Sequence, residues 1–502
     1  MRLASGIVAA LAVLCASRTA LAADINADPT TYKALLGTLK PGDTLHLAAG
    51  HYPRIAVTNL NGLSGAWITI TGPAVYPRTA IVDADSGPCC NTVEITSSSY
   101  VALENLTIDG HDVDGAFGIS AKGANNLVHD IRVESCSLIN HHGSQQHDAI
   151  STKVPTWGWI LRKNEILRAG TGLYLGNSDG SAPFIGGIIE QNLVDGPIGY
   201  CMEIKFQTPR PSVAGMPTSP TTTIIRNNVF IKNDDPSPDG DRPNVLVGGF
   251  PATGAGSSDR YEIYGNVFLH NPRESLLQAS GRVTIHDNLF VDASSTHALL
   301  LQNHDLPLSQ AYVYDNTVYG GPAGITFGSS APQGDAVVGN LVFATSPISG
   351  PIANLKDNLT DTPANAAKYV NAPSNVRATM DFYPLAGKCK GTPIDASLFT
   401  NHTAHAVDFN GTARGFEFRG AYAGEGKNPG SDGGVPPGTD GGGGDASAGG
   451  DSGAPPGATP GSDGGCSCRA GVRGGDARGP AWFAVVPLLM ILRRRRTAET
   501  RR

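Results

Sequence analysis

Three features of this 502-residue chain predict an all-β solenoid, a right-handed parallel β-helix with an N-terminal capping helix. An asparagine recurs behind a short apolar stretch at Asn105, Asn164, Asn192, Asn228, Asn266, Asn288, Asn316, Asn340 and Asn358, and Cys136 fills the vacant rung. The steps between rungs are 31, 28, 28, 36, 38, 22, 28, 24 and 18 residues. Between rungs lie runs long enough for one strand each, such as Gly172–Leu175, Asn244–Val247 and Ala298–Leu301, and no amphipathic helical period interrupts about Thr92 to Phe343. Composition agrees: 63 Gly, 35 Pro and 16% charged residues suit a turn-rich β chain. Stacked coils bury the same position repeatedly, and a buried amide needs partners, so a ladder of amides satisfies itself. A leucine-rich repeat has a shorter, Leu-dominated period, and a propeller has a steadier one with blade signatures.

The first segment reads as an address. Arg2, the apolar stretch from Ile7 to Leu14, and Ala20-Leu21-Ala22 are expected to form a secretory signal peptide, residues 1–22, cleaved after Ala22. An exported chain meets an oxidising compartment in which Cys89 and Cys90 have the opportunity to pair, whereas Cys136 and Cys201 read as small core residues. Asp28-Pro29 opens a helix whose Tyr32, Leu35, Leu36 and Leu39 share one face before Lys40-Pro-Gly-Asp43 stops it, a lid for the open apolar end of the coils. The β-helix domain is expected over 23–424. A Gly/Pro/Ser/Asp-rich linker, expected to be disordered, follows over 425–465, and 466–502 carries Cys466-Ser-Cys468, an apolar stretch Ala481–Leu492 and Arg493–Arg496.

Strand alignment selects the candidate site. Placing Ile119-Ser-Ala-Lys122, Ile150-Ser-Thr-Lys153, Leu173-Tyr-Leu-Gly176, Met202-Glu-Ile-Lys205 and Val245-Leu-Val-Gly248 in register sends alternate positions outward. The fourth column then holds Lys122, Lys153 and Lys205 over glycines, with Tyr174 and Glu203 in the second. Lys153 and Lys205 should stand roughly 10 Å apart, two coil spacings. Lysines over glycines make a cationic groove, with Lys122, Lys153, Tyr174, His147 and His304 as candidate substrate contacts.

The segments Pro41–Leu45, Ala49–Tyr52 and Trp67–Ile70 resemble the entrance of pectate-lyase-like β-helices, most closely the chondroitinase B and alginate lyase family. Asp408–Arg414 and Arg419–Tyr422 resemble the closing segment of secreted β-helix proteins. The resemblance implies β-elimination on a uronic acid polymer, with lysine and arginine doing the chemistry and acidic side chains holding Ca²⁺. Removing a proton beside a carboxylate requires that carboxylate's charge to be neutralised. On that basis Lys205 is the expected base, Arg210 or Arg242 the neutralising cation, and Glu203 the Ca²⁺ ligand. The family pattern has two acidic residues on one strand followed by Lys-Ser; here one glutamate stands two residues before a lysine. The tail resembles the sorting signal of myxobacterial surface proteins, which implies membrane association and a cell-surface location, although twelve apolar residues fall short of the ~20 that span a bilayer.

Weaker clusters read as ordinary polar structure. Asp235–Gly240 lacks the closing carboxylate of a calcium loop, with Leu246 in its place, and His141, His142, His147 and Asp148 suit a polar loop or substrate contacts better than zinc. Residues 23–424 carry 25 Lys and Arg against 36 Asp and Glu, net −11, which excludes nucleic acid as a partner. The expected partner is a polysaccharide and the expected state a monomer. Two other functions stay open: a non-catalytic glycan-binding or adhesive surface protein, and a glycoside hydrolase pairing Glu203 with Asp148 or Glu190.

Overall fold

The computed structural model describes residues 22–84, 91–123 and 126–429. The expected signal peptide (apart from Ala22), the Cys89-Cys90 pair, nearly all of the linker and the whole sorting tail lie outside the described residues. Among those described, no helix is long and apolar enough to cross a membrane.

The chain winds as a right-handed parallel β-helix of three long sheets with thirteen, eleven and twelve strands. Each coil contributes one strand to each sheet in turn, and neighbours along a sheet are parallel. Strands of two to seven residues suffice because only the inward alternate positions must be apolar. Those positions, such as Ile150, Leu173, Met202 and Val245, are sealed into one continuous core. Five strands of the eleven-stranded sheet carry the candidate groove: β1 (Ile119–Ala121), β2 (Asp148–Thr152), β3 (Thr171–Leu175), β4 (Met202–Ile204) and β5 (Val245–Val247).

At the corner between the thirteen- and twelve-stranded sheets the side-chain amides form a hydrogen-bonded ladder. Asn164 Nδ2 donates to Asn192 Oδ1 at 3.0 Å, and the chain continues through Asn228, Asn266, Asn288, Asn316, Asn340 and Asn358 at 2.9–3.0 Å. Each amide also donates backwards to the carbonyl three residues before the preceding rung, as Asn228 does to Ile189 and Asn266 to Ile225. Cys136 takes its place by donating its backbone N–H to Asn164 Oδ1 at 3.0 Å. The residue before each rung from Cys136 onward is left-handed: Ser135, Lys163, Gln191, Asn227, Gly265, Asp287, Asp315, Gly339 and Asp357 all have φ between 51° and 71°.

Asn105 is not a rung. Ser137 pairs with Thr107, which puts Leu106 opposite Cys136 and Asn105 opposite Ser135. Leu106 is fully buried, whereas Asn105 has φ 56° and donates to Thr71 Oγ1. Asparagine tolerates the left-handed conformation better than most residues, so the same residue type suits either of two adjacent positions.

The N-terminal end is capped, and the C-terminal segment packs along the flank of the coils. The capping helix α1 is Tyr32–Leu36, with Tyr32, Leu36 and the following Leu39 buried over the first coil, and the Asp28 carboxylate accepts from the Thr30 and Thr31 N–H groups that precede it. In that flanking segment Asp408 accepts from the N–H groups of Asn410, Thr412 and Ala423. Arg414, fully buried, inserts between Asp287 and Asp315, the residues that precede two consecutive rungs. Burial raises both carboxyls above their ordinary range while the guanidinium pulls them back. Cys136, Cys201 and Cys389 are free, buried thiols.

The ladder makes a prediction about register. Asn288→Ala removes the acceptor of the Asn266 N–H and Nδ2 groups and the donor to the Ile263 and His286 carbonyls and to Asn316 Oδ1, all buried, and is expected to cost about 2–4 kcal/mol in urea unfolding. Asn105→Gly keeps the left-handed backbone and is expected to change stability by less than about 0.5 kcal/mol.

Candidate functional site

The alignment of the five strands is as the sequence implies: Ile119 pairs with Ile150, Ile150 with Leu173, Leu173 with Met202 and Met202 with Val245. Lys122, Lys153, Gly176, Lys205 and Gly248 therefore form one column, and Ser120, Ser151, Tyr174, Glu203 and Leu246 another. Gly176 is needed where it stands. Its φ is +101°, and a Cβ there would meet Lys205 Cβ at 3.1 Å, so the glycine lets the lysine stem lie across the preceding coil.

Tyr174 sits at the centre. Lys153 reaches it from the coil before, with Nζ 4.4 Å from the ring centroid, and Lys205 from the coil after, at 5.7 Å. Each ammonium has a carboxylate beneath it. Lys205 Nζ donates to Glu203 Oε1 at 2.8 Å, and Lys153 Nζ lies 3.1 Å from Asp148 Oδ2. The two carboxylates are 3% exposed, Lys205 is 14% exposed and Lys153 35%, so a ligand in the groove meets Lys153 first. Phe117 extends the platform, with Lys122 Nζ at 5.6 Å and Lys153 Nζ at 5.5 Å from its centroid.

Burial dominates the proton affinities. It pushes the Asp148 carboxyl up to about 6; the Lys153 ammonium opposes the rise and Glu203 adds to it. Burial, followed by the charges of Glu203 and Asp148, raises the Tyr174 hydroxyl far above the ordinary phenol range, which keeps it protonated. Burial, followed by the charge of Glu203, also raises the Tyr200 hydroxyl, with Arg242 opposing.

Other expected site residues are placed differently. Arg210 is no part of the groove: its side chain is 2% exposed, ion-paired with buried Asp259 and donating to the Pro217 carbonyl, where it braces a loop. The guanidinium group is held there because a buried cation needs a counterion. Arg242 lies over the Tyr200 ring at 5.7 Å but donates to the carbonyls of Asp239 and Asp241, which leaves it at the rim. His147 packs edge-on against Phe117, ring centroids 5.8 Å apart, but offers the groove no free nitrogen at Nε2, which accepts from the Gly115 N–H at 3.0 Å, 3.3 Å from Asp114, and the ring is nearly sealed. His304 follows the strand three coils beyond Lys205, half-exposed and 3.6 Å from Asp305, at the far end of the same sheet.

Glu203 does not fit a Ca²⁺ site. The ion takes six to eight oxygens, and here one carboxylate is already occupied by an ammonium. Among the described residues no group of three or more His, Cys, Asp or Glu side chains is arranged to hold a metal. The Asp235–Gly240 loop packs instead on the 142–146 loop, through His142 to Asp235 and Gln146 to Asp239. Two groups were not singled out for the groove from sequence: Tyr200, and Asp148 as the counterion of Lys153. A carboxylate five residues before a lysine on one strand is the faint signal for the second.

The fold and groove together define a single parallel β-helix carrying a charge-paired, aromatic-centred groove on one outward sheet. No protein-family model matches the chain, and no curated protein does. Among solved structures it is similar to a pectate lyase, Pel9A, at 13% identity over 80% of this chain and 96% of that one, TM-score 0.47. It is also similar to an alginate lyase from Paenibacillus sp. str. FPU-7, at 15% over 68% and 99%, TM-score 0.36. A third likeness is to the mannuronan C-5 epimerase AlgE4 A-module of Azotobacter vinelandii, at 16% over 66% and 93%, TM-score 0.41. At such identities and TM-scores the chemistry of the groove has to come from its own residues.

The buried Asp148 makes a signed prediction. A carboxyl held at about 6 against an ordinary 3.8 favours the folded state fully below pH 3.8 and loses that contribution as pH rises through 6. Relative to the parent, Asp148→Asn is expected to gain about 2 kcal/mol between pH 4 and pH 8, read from urea unfolding at each pH. A constant difference across this range would contradict the placement of the carboxyl.

Proposed function

We propose that the chain is an exported, surface-held carbohydrate-active protein that binds a uronic acid polymer along this groove and cleaves it by β-elimination. The observation that carries the reading is the pair of ammonium groups that converge on one tyrosine ring from the coils on either side of it. Lys153, the more exposed, neutralises the sugar carboxylate and so acidifies the adjacent C–H. Lys205 takes that proton, after passing its own to Glu203, to which it is already hydrogen-bonded. The C–O bond to the leaving sugar breaks as the C=C bond forms, and the protonated Tyr174 hydroxyl supplies the proton to the leaving oxygen. The proton left on Glu203 then passes by way of Lys205 to the Tyr174 phenolate, which restores the carboxylate, the ammonium and the phenol. Lys122 and Arg242, at the rim, are left for the carboxylates of neighbouring sugars. No step is assigned to Ca²⁺, for which Glu203 is a poor host.

A hydrolase would use Asp148 and Glu203, two coils and roughly 10 Å apart. Both are tied to a lysine and sealed beneath it, which favours the lysines as the working groups. The N-terminal address and the tripartite tail support export and retention at the cell surface; the tail's arginines would lie on the cytoplasmic side before processing.

Incubation with pectate, alginate and glycosaminoglycans is expected to produce unsaturated, ultraviolet-absorbing ends from at least one of them. Lys205→Ala and Tyr174→Phe should each lower kcat by about 10²-fold or more, and Lys153→Ala should raise KM more than it lowers kcat. Saturated reducing ends would favour hydrolysis, and binding without new ends would favour adhesion. Turnover unaffected by Lys205→Ala removes the assigned base.

A further inference from the structure

The two carboxylates beneath the groove are not equivalent. Glu203 is closed over by Lys205, whereas Asp148 is paired with Lys153, the cation that a ligand meets first. The groups facing Asp148 can be named element by element. Ser151 and Lys153 lie on its own strand, Tyr174 on β3, and Glu203, already neutralised by Lys205, on β4. Lys122 is held on the ring of Phe117, and His147 is turned to Gly115 and Asp114. Lys153 is thus the one cation in ion-pair contact with Asp148 among the described residues.

An anionic sugar that pairs with Lys153 brings a second carboxylate to an ammonium already 3.1 Å from the first. Two carboxylates then share one cation, and the protein's carboxylate is cut off from water that would screen it. Like charges so placed raise each other's proton affinity, and the sugar's carboxylate, with the lower intrinsic affinity and the greater exposure, stays ionised. We propose that binding of a uronate at Lys153 is coupled to uptake of a proton by Asp148, so that the groove holds acidic glycans more tightly in mildly acidic medium. The inference rests on the uronate-binding reading above. Burial has already brought the Asp148 carboxyl to about 6, close enough to neutrality for a second anion to complete the change.

Calorimetric titration of the full chain carrying Tyr174→Phe, which suppresses turnover and leaves every charge in place, tests the coupling. The probes are oligogalacturonate and oligoalginate, at pH 7 in two buffers of different protonation enthalpy. Uptake of about half a proton or more per bound chain is expected, with about tenfold tighter binding at pH 6 than at pH 8. Adding Asp148→Asn should abolish the uptake and flatten the pH dependence while binding persists. Binding of ordinary strength without uptake overturns the coupling alone, as does uptake that survives Asp148→Asn. No binding of either uronate at any pH overturns the underlying reading and the coupling with it. The two-buffer measurement on Tyr174→Phe stands even if the double variant does not fold.

Discussion

The buried amide ladder fixes everything else in this molecule. A side-chain amide in the core is costly unless both its acceptor and its donors are met, and from Asn164 to Asn340 every amide is met by the coils before and after it. That requirement sets the register of each coil on the next to a single residue. Because strand side chains alternate in direction, a one-residue slip would turn the whole outward set inward. The chemistry of the eleven-stranded sheet is therefore held in place from the opposite corner of the coil.

A second column makes the same point with charge. Two residues before successive rungs, on the outward face of the thirteen-stranded sheet, stand Glu134, Arg162, Glu190 and Arg226 in register. Arg162 pairs with Glu134 at 2.8 Å and Arg226 with Glu190 at 2.7 Å. Alternation of sign along a stack spaced at about 4.8 Å avoids like charges on neighbouring strands. Further along, the column becomes Tyr264, His286 and Tyr314, stacked at 4.9 and 4.7 Å, and it is there that the closing segment packs with Phe399 and Arg414. Partly exposed coils use charge, and covered ones use ring stacking.

Repetition is what made the fold legible. A rung that returns many times tolerates one misplaced member, so treating Asn105 as a rung did not disturb the strand alignment around Lys153 and Lys205. The cap was readable from Asp28 and the apolar face of Tyr32, Leu36 and Leu39, and the closing segment from Asp408 and Arg414. The site was legible in part, since the column of Lys122, Lys153 and Lys205 follows from register alone. What register does not carry is where a long side chain ends. Arg210 and Arg242 have enough reach to enter the groove, and their loops send one to Asp259 and the other to backbone carbonyls. Register likewise leaves open that the Lys205 ammonium turns back onto Glu203, two residues away, and it does so at 2.8 Å.

The charge pairing also bears on how an acidic chain could hold the acidic glycan proposed for it. Net −11 over residues 23–424 repels a polyanion at distances beyond the ~8 Å Debye length only weakly at physiological salt, so the groove's own charges decide. Unpaired, Lys153 and Lys205 some 10 Å apart would repel each other by about 1.7 kcal/mol at an effective dielectric constant of 20. With Asp148 and Glu203 beneath them the empty groove is nearly neutral, and the free protein does not carry that repulsion. The same carboxylates compete with any incoming anion. An acidic glycan gains at Lys153 only what it offers beyond Asp148, and the simplest way to widen that margin is to remove the charge on Asp148. The two carboxylates beneath the lysines thus neutralise the empty groove, and in the proposed reading they set the condition under which it fills.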